Sequence, residues 1–302
     1  MEVSRLRKED CMNRKRIVSL TAAAVALTAV ICCGCASNDS KEEEEKKEIT
    51  INGVQYVETF CDDFDGDTLD ETKWETCPEW DRQGGCSHWN PANVSLDGQG
   101  NLLLKADYTE GSDLLQCGAI RTYGKFEQTY GYFEIRCKFQ TKDGFWSAFW
   151  MMPRENSDAV IGGGDGTEID IFEQVNINKA PTTGKAREFD HVVHWDGYEA
   201  SHRSIARRNQ SGVDIYDGNF HTFAVDWSKD AYVFYIDGVL SATINASDIP
   251  GGTSAVDQYM KITLESGSWS GAASAEDMPD YFTVDYVKAY QRAEYLEEAA
   301  GK

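Results

Sequence analysis

Between residues 49 and 292, apolar and polar side chains alternate in short runs, and Gly, Asn and Asp separate one run from the next. Period-two alternation sends successive side chains to opposite faces of a strand, so each run predicts a strand with one buried face. Strands are predicted over residues 101–105, 132–139, 191–195, 222–227, 232–236 and 282–290. The step Ile236-Asp237-Gly238-Val239 is a two-residue hairpin signal. No internal repeat interrupts the pattern, and no long amphipathic helix precedes the last dozen residues. Many short strands at this spacing specify an all-β sandwich or barrel. A single domain of about 240 residues lies within the range of all-β folds.

The first residues depart from this pattern. Arg14, Lys15 and Arg16 precede an apolar, Ala-rich run at 17–31, too short for a comfortable membrane-spanning helix, and the combination reads as a signal peptide. The run ends in Cys32-Cys33-Gly34-Cys35-Ala36-Ser37. A small residue before a cysteine at that point resembles the lipobox of bacterial lipoproteins, which makes Cys35 the expected lipidation site; Cys32 stands at the usual Leu position. An uncleaved N-terminal anchor is the alternative, and Met12 is a candidate start. Residues 37–48 are charge-dense with no apolar residue to bury, as expected of a disordered tether. The expected plan is a signal peptide at 1–35, an acidic linker at 36–48, the β domain at 49–292 and a tail at 293–302. It describes a secreted, monomeric lipoprotein on a bacterial surface, touching the membrane through its lipid alone.

Composition narrows the partners. A formal net charge of −22 argues against nucleic acid and against docking on an anionic membrane. It also disfavours heavily sulfated or uronic substrates and suits a neutral polysaccharide. Eight Trp and fourteen Tyr supply rings that could stack on sugars, although large β cores also use them. With Cys35 lipidated, Cys61, Cys77, Cys86, Cys117 and Cys137 remain, an odd number that cannot pair completely. None lies in a C-x-x-C pair, which argues against zinc; a Cys77–Cys86 bridge stays open, and Cys137 is expected to be a small buried apolar residue.

The chemistry concentrates in Gly166-Thr167-Glu168-Ile169-Asp170-Ile171-Phe172-Glu173. On a flat strand Glu168 and Asp170 share a face and Glu173 points away. One extra residue, a β-bulge, returns Glu173 to that face. Three acids on one face repel one another, an arrangement that makes sense where something is protonated, attacked or bound. Glycoside hydrolysis needs two carboxyl groups, about 5–5.5 Å apart in retaining enzymes. Four strand steps separate the two Glu backbones by roughly 13 Å, so the side chains must converge on a bent sheet. The plainer alternative is a calcium site or a solvated acidic strand, against which Ile169, Ile171 and Phe172 anchor the segment in a core.

In order along the chain, Cys61 to Gly66 with Leu69-Asp70 and Lys73-Trp74, Tyr130 to Arg136, Trp146 to Pro153, Glu168 to Glu173, Phe220 to Trp227, Phe234 to Gly238 and Val284 to Lys288 resemble the motifs of glycoside hydrolase family 16. The resemblance implies a β-jelly-roll sandwich of two curved antiparallel sheets. It implies retaining endo-hydrolysis of β-linked glucans or galactans, with no cofactor for catalysis. By position, Glu168 is the nucleophile, Glu173 the acid/base and Asp170 the group between them. Arg121, Trp146, Trp150, His194, Trp195, Glu265 and Trp269 match cleft positions, and Trp80, Arg82, Trp89 and Asn90 are candidates for distal subsites. A strand-end salt bridge for Arg121 and core roles for Trp146, Trp150 and His194 are the alternatives. Asp285 and the Gly100 backbone match the ligands of a structural calcium.

Two departures bear on the substrate: Ser147 replaces the Pro of the W-P-A segment, and Glu265 stands where the family often has Asn. The bulged motif separates the chain from the lichenase branch. The first reading is an endo-β-1,3- or β-1,3(4)-glucanase; an endo-β-galactosidase acting on galactan or O-glycan, and a non-catalytic surface glycan-binding lipoprotein, are the alternatives.

Overall fold

A computed structural model describes residues 47–82, 86–155, 161–175, 188–267 and 270–300. The expected signal peptide, Cys35 and nearly all of the linker lie outside the described residues. Two β-sheets account for most of the compact unit Glu45–Lys302. Among the described residues, one sheet has seven antiparallel strands in the order Arg203–Arg208, Glu188–Trp195, Glu168–Val175, Phe145–Met152, Tyr259–Ser266, Ala119–Arg121 and Glu75–Thr76. The other has twelve, centred on His221–Trp227, Gly131–Lys138, Asp280–Arg292 and Leu102–Tyr108. Its parallel pairing joins Ser87–Trp89 to Leu115–Cys117. The protein is a jelly-roll sandwich.

The strands follow the alternation that predicts them. In Gly131–Lys138, Phe133, Ile135 and Cys137 enter the core while Glu134, Arg136 and Lys138 stay half-buried. At the expected hairpin, Ile236 pairs with Val239, and Asp237 and Gly238 have φ of 50° and 75°, the positive pair that a tight hairpin requires. Asp280–Arg292 begins earlier than predicted because the Asp280 carboxylate accepts the Thr141 and Lys142 backbone N–H groups, each at 2.8 Å, and so anchors the strand start. The tail opens as a helix, Ala293–Ala300, whose Tyr295 ring lies 5.7 Å from that of Tyr130. Cys77, like Cys61, Cys117 and Cys137, is a free thiol, so the Cys77–Cys86 bridge left open by the sequence does not form.

The sheets meet through aromatic rings. Phe172, from the middle of the seven-stranded sheet, lies 4.8 Å from Phe223 across the sandwich, 5.4 Å from Phe139 and 5.6 Å from its strand neighbour Phe189. Each pair combines area burial with a favourable ring geometry. Phe172 immediately precedes Glu173, so the same packing that joins the sheets fixes the acid-bearing strand. Phe172→Ala should cost about 3–5 kcal/mol of unfolding free energy, read as a lower urea midpoint. A loss under about 1 kcal/mol would mean that the cluster is not close-packed.

Candidate active site

The strand Glu168–Val175 lies between Phe145–Met152 and Glu188–Trp195. Along the first partner, Phe149 faces Phe172 but Trp150 faces Asp170, which leaves Ile171 as an extra residue. Along the second, Asp170 pairs with Val192 and Glu173 with Asp190. The bulge expected from the motif is therefore present, and it sends Glu168, Asp170 and Glu173 to one face while Ile169, Ile171 and Phe172 are fully buried. An extra strand residue leaves ladder groups unpaired, and here a side chain takes the bond. His191 Nδ1 lies 2.6 Å from the Ile171 carbonyl, which can only accept, so Nδ1 carries the proton. Burial pushes this imidazole down to about 4, keeping it neutral. Its Nε2 lies 2.7 Å from the Ser241 hydroxyl, and its ring stacks on Phe234 at 4.5 Å. The chain enters the strand through Gly166 at φ 135°, where an added Cβ would stand 2.8 Å from Pro153 Cγ.

On the exposed side of the bulge the acids have different surroundings. The Tyr198 hydroxyl donates to Glu168 Oε2. His194 Nε2 lies 3.2 Å from Asp170 Oδ2 and 3.9 Å from Glu168 Oε1. His194 Nδ1 lies 2.8 Å from His202 Nε2, with the two rings stacked 5.0 Å apart. Burial, then the neighbouring His194, holds the His202 pKa low and favours its neutral form. The nearest donor atoms of Glu168, Asp170 and His194 all fall within 4.8 Å of one another. Burial, followed by the charge of Glu168, holds the Asp170 carboxyl well above the usual range, with Lys261 opposing. Glu173 is also held well above it, by burial first and then by Asp170, with His194 opposing. Glu173 and Asp170 thus hold their protons to higher pH while Glu168 accepts a tyrosine hydrogen bond, a division between proton donor and nucleophile that acid catalysis requires.

The remaining expected residues separate. Trp146 and Trp150 share the face of the acids and are half-buried, alternating with the buried Phe145, Ser147, Phe149 and Met151. Trp150 Nε1 donates to Thr263 Oγ1 at 3.2 Å. Arg121 is held by Glu75 at 2.6 Å and lies over the Tyr123 ring, the strand-end salt bridge rather than a free sugar contact. Glu265 is buried and paired with Arg82 at 2.8 Å. Ser147 points into the sandwich and donates to Gln140 at 2.5 Å, so its departure from the W-P-A pattern is absorbed in the interior. Trp195 is a correction: alternation after His194 turns it into the core, where it is 7% exposed. Trp89 is buried too, with Arg82 over its ring at 4.0 Å, whereas Trp80 is exposed. Asn90 caps the short helix Pro91–Asn93 by accepting from Ala92 N. Trp269 lies outside the described residues.

The calcium ligands fit poorly. The Asp285 carboxylate carries the Arg136 guanidinium, a cation of the chain itself. Gly100 lies instead against Asp65, whose Oδ1 would be 3.2 Å from an added Cβ. That region belongs to a surface hollow lined by Asp62, Asp63, Asp65 and Asp70, which shares no residue with the three acids.

Residues 54–292 match the family model of the beta-porphyranase A–D GH16 domain. The chain belongs to glycoside hydrolase family 16. It is 30% identical to a keratan-sulfate endo-1,4-beta-galactosidase of Sphingobacterium multivorum over 257 residues, 80% of this chain and 57% of that protein. It is 30% identical to the endo-1,3-1,4-beta-glycanase EglC of Rhizobium meliloti over 231 residues, 73% of this chain and 43% of that one. The chain thus spans about half the length of these relatives. Among solved structures it resembles SCLam, a non-specific endo-beta-1,3(4)-glucanase, with a TM-score of 0.62 and 25% identity over 82% of this chain and 95% of that one.

Four residues of the site carry no role in the sequence-based reading: His191, Tyr198, His202 and Lys261. Lys261 leaves the clearest trace, a single cation in the otherwise apolar run Tyr259-Met260-Lys261-Ile262.

A carboxyl whose folded pKa exceeds its unfolded one contributes stability that is complete below about pH 4.3, the ordinary Glu value, and is lost as pH rises through the folded pKa. Glu173→Gln removes that dependence at nearly constant volume. Its unfolding free energy should therefore gain on the wild type steadily as pH rises above about 4.3. Urea unfolding at a series of pH values checks this, and a difference that stays flat with pH would contradict the raised Glu173 pKa.

Proposed function

We propose that the chain is a retaining endo-β-glycanase with Glu168 as nucleophile and Glu173 as acid/base. The observation that carries this reading is the bulge at Ile171, which puts both residues on one face in unlike surroundings. Glu168, oriented by Tyr198, attacks the anomeric carbon while Glu173 gives its proton to the departing glycosidic oxygen. Glu173, now a carboxylate, takes a proton from water, and that water displaces Glu168 with net retention. Asp170, buried between them, raises the Glu173 pKa and so helps keep its proton until the leaving oxygen takes it.

The first substrate reading is β-1,3- or β-1,3(4)-glucan, supported by the likeness to EglC and to SCLam. A galactan or O-glycan is the second, supported by the beta-porphyranase family model and the keratan-sulfate galactosidase relative. The same reading places the protein on a bacterial surface as a monomer, anchored through a lipid on Cys35. A structural calcium near Gly100 would draw on Asp63 and Asp65 rather than on Asp285.

Reducing-sugar release from laminarin, barley glucan, agarose, arabinogalactan and mucin O-glycans tests activity and backbone together. Release from laminarin or barley glucan alone supports the first reading; no release from any of them favours a glycan-binding protein without catalysis.

Role assignment has its own test. Glu173→Ala should lose natural substrates by about 100-fold or more, since their leaving groups need protonation. An activated aryl glycoside should still glycosylate Glu168, and azide should then restore turnover and give a β-glycosyl azide. An α-azide, or no rescue, would mean that the roles are swapped or the site is misassigned.

A further inference from the structure

His221 and His194 both stand among carboxylates, but their ring nitrogens are used differently. Each nitrogen of His221 meets its own acid, Nδ1 with Asp237 at 2.7 Å and Nε2 with Asp217 at 3.0 Å. At His194, Nδ1 bonds His202 Nε2 at 2.8 Å, whereas Nε2 faces Asp170 Oδ2 at 3.2 Å and Glu168 Oε1 at 3.9 Å. Asp170 is 3% exposed, and no donor among the described residues bonds its Oδ2. The His194 proton therefore sits on Nδ1, given to His202, and Nε2 keeps its lone pair. A lone pair and a carboxylate oxygen at that distance repel unless a positive centre lies between them.

A proton on Asp170 can be that centre, and so can a metal ion that displaces it. The geometry suits the metal. Zinc bonds of about 2.0–2.1 Å at tetrahedral angles hold two ligand atoms about 3.3 Å apart, close to the 3.2 Å between Nε2 and Oδ2. With Glu168, the three nearest donor atoms lie within 4.8 Å of one another. Each outer ligand also has a partner that orients it, as metal-bound histidines and carboxylates generally do. His202 takes the Nδ1 proton of His194, and the Tyr198 hydroxyl donates to Glu168 Oε2, which leaves Oε1 free to bind. The His194 and Glu168 side chains are 21% and 16% exposed, so an ion can reach this point from the cleft.

We propose that His194 Nε2, Asp170 Oδ2 and Glu168 Oε1 form a binding site for a divalent transition-metal ion such as zinc, and that the ion switches the enzyme off. It is an inhibitor and not a cofactor. Bonded to Glu168, it engages the lone pair that attacks the anomeric carbon and stands where the sugar must approach. The inhibitory effect rests on the glycanase reading, whereas the binding does not. A nitrogen ligand favours zinc over magnesium or calcium, which take oxygen. The net charge of −22 raises the local concentration of any cation.

Zinc binding to the full chain is measured by calorimetry at about pH 7.5, since the ligands must give up their protons. Zinc held elsewhere, by thiols or by His221, is common to wild type and variants, so the site is read as a difference. His194→Ala should bind one ion fewer per chain than the wild type, and Glu168→Gln repeats the comparison if that variant misfolds. His202→Ala removes no ligand but should weaken this ion by roughly 10–100-fold. His202→Gln, whose amide oxygen accepts the same N–H, should recover most of that loss. Zinc should also inhibit release of reducing sugar competitively with the glycan, and EDTA should reverse it, while magnesium and calcium do neither. Equal zinc binding by the wild type and these variants means an adventitious ion only and overturns the proposal. Inhibition that added glycan does not relieve overturns it as well. Zinc binding that depends on His194 in a chain that cleaves no glycan would instead overturn the glycanase reading and leave the metal site standing.

Discussion

The site depends on one hydrogen bond that no regular ladder supplies, from His191 Nδ1 to the carbonyl of Ile171. Without an extra residue at Ile171, Glu173 would point into the sandwich, and a carboxyl there would face Phe139, Phe223 and Phe282. With it, the backbone acquires an unpaired carbonyl in a dry place, which is costly unless something donates to it. A neutral, fully buried histidine meets that need because its ring also packs as an apolar group against Phe234. The bulge is thus stabilised from inside the core, and the acids outside it inherit a fixed spacing.

The electrostatics follow from that spacing. Three carboxyl groups along one strand face cannot all ionise cheaply, and burial decides which one holds its proton. Asp170 is buried and Glu173 half-buried among the acids, and the pKa values of both rise, while Glu168 meets the hydroxyl of the exposed Tyr198. His194, with His202 behind it, sets a polarisable group beside Asp170 and Glu168. Tyr198 and His202 both belong to the loop that follows the strand Glu188–Trp195 or to its edge, so loop and strand build the site together.

Much of this was legible in the chain. Alternation in 131–138 and 221–227 specifies half-buried strands because a period of two has only one way to bury an apolar face. The hairpin at Asp237-Gly238 is equally local. The bulge could be read as well, since parity alone requires an extra residue if Glu173 is to join Glu168. Trp195 shows the limit: a motif match placed it in the cleft, yet the same parity that exposes His194 sends its neighbour inward. Arg121 and Glu265 show another. Their types suit sugar contacts, but their charges are already met by Glu75 and Arg82, partners 46 and 183 positions away in sequence.

By itself, then, the sequence determined the all-β class, the strand positions and the identity of the three acids, because each depends on spacing within a few residues. Only the tertiary structure decided which charges meet one another. Lys261 is a cation in a strand until Trp150 from one neighbouring strand and Trp89 from the opposite sheet close around it. His191 is one more strand residue until Ile171, on the adjoining strand, offers it a carbonyl. Those outcomes depend on distances between segments far apart in the chain, and residue spacing carries no measure of them.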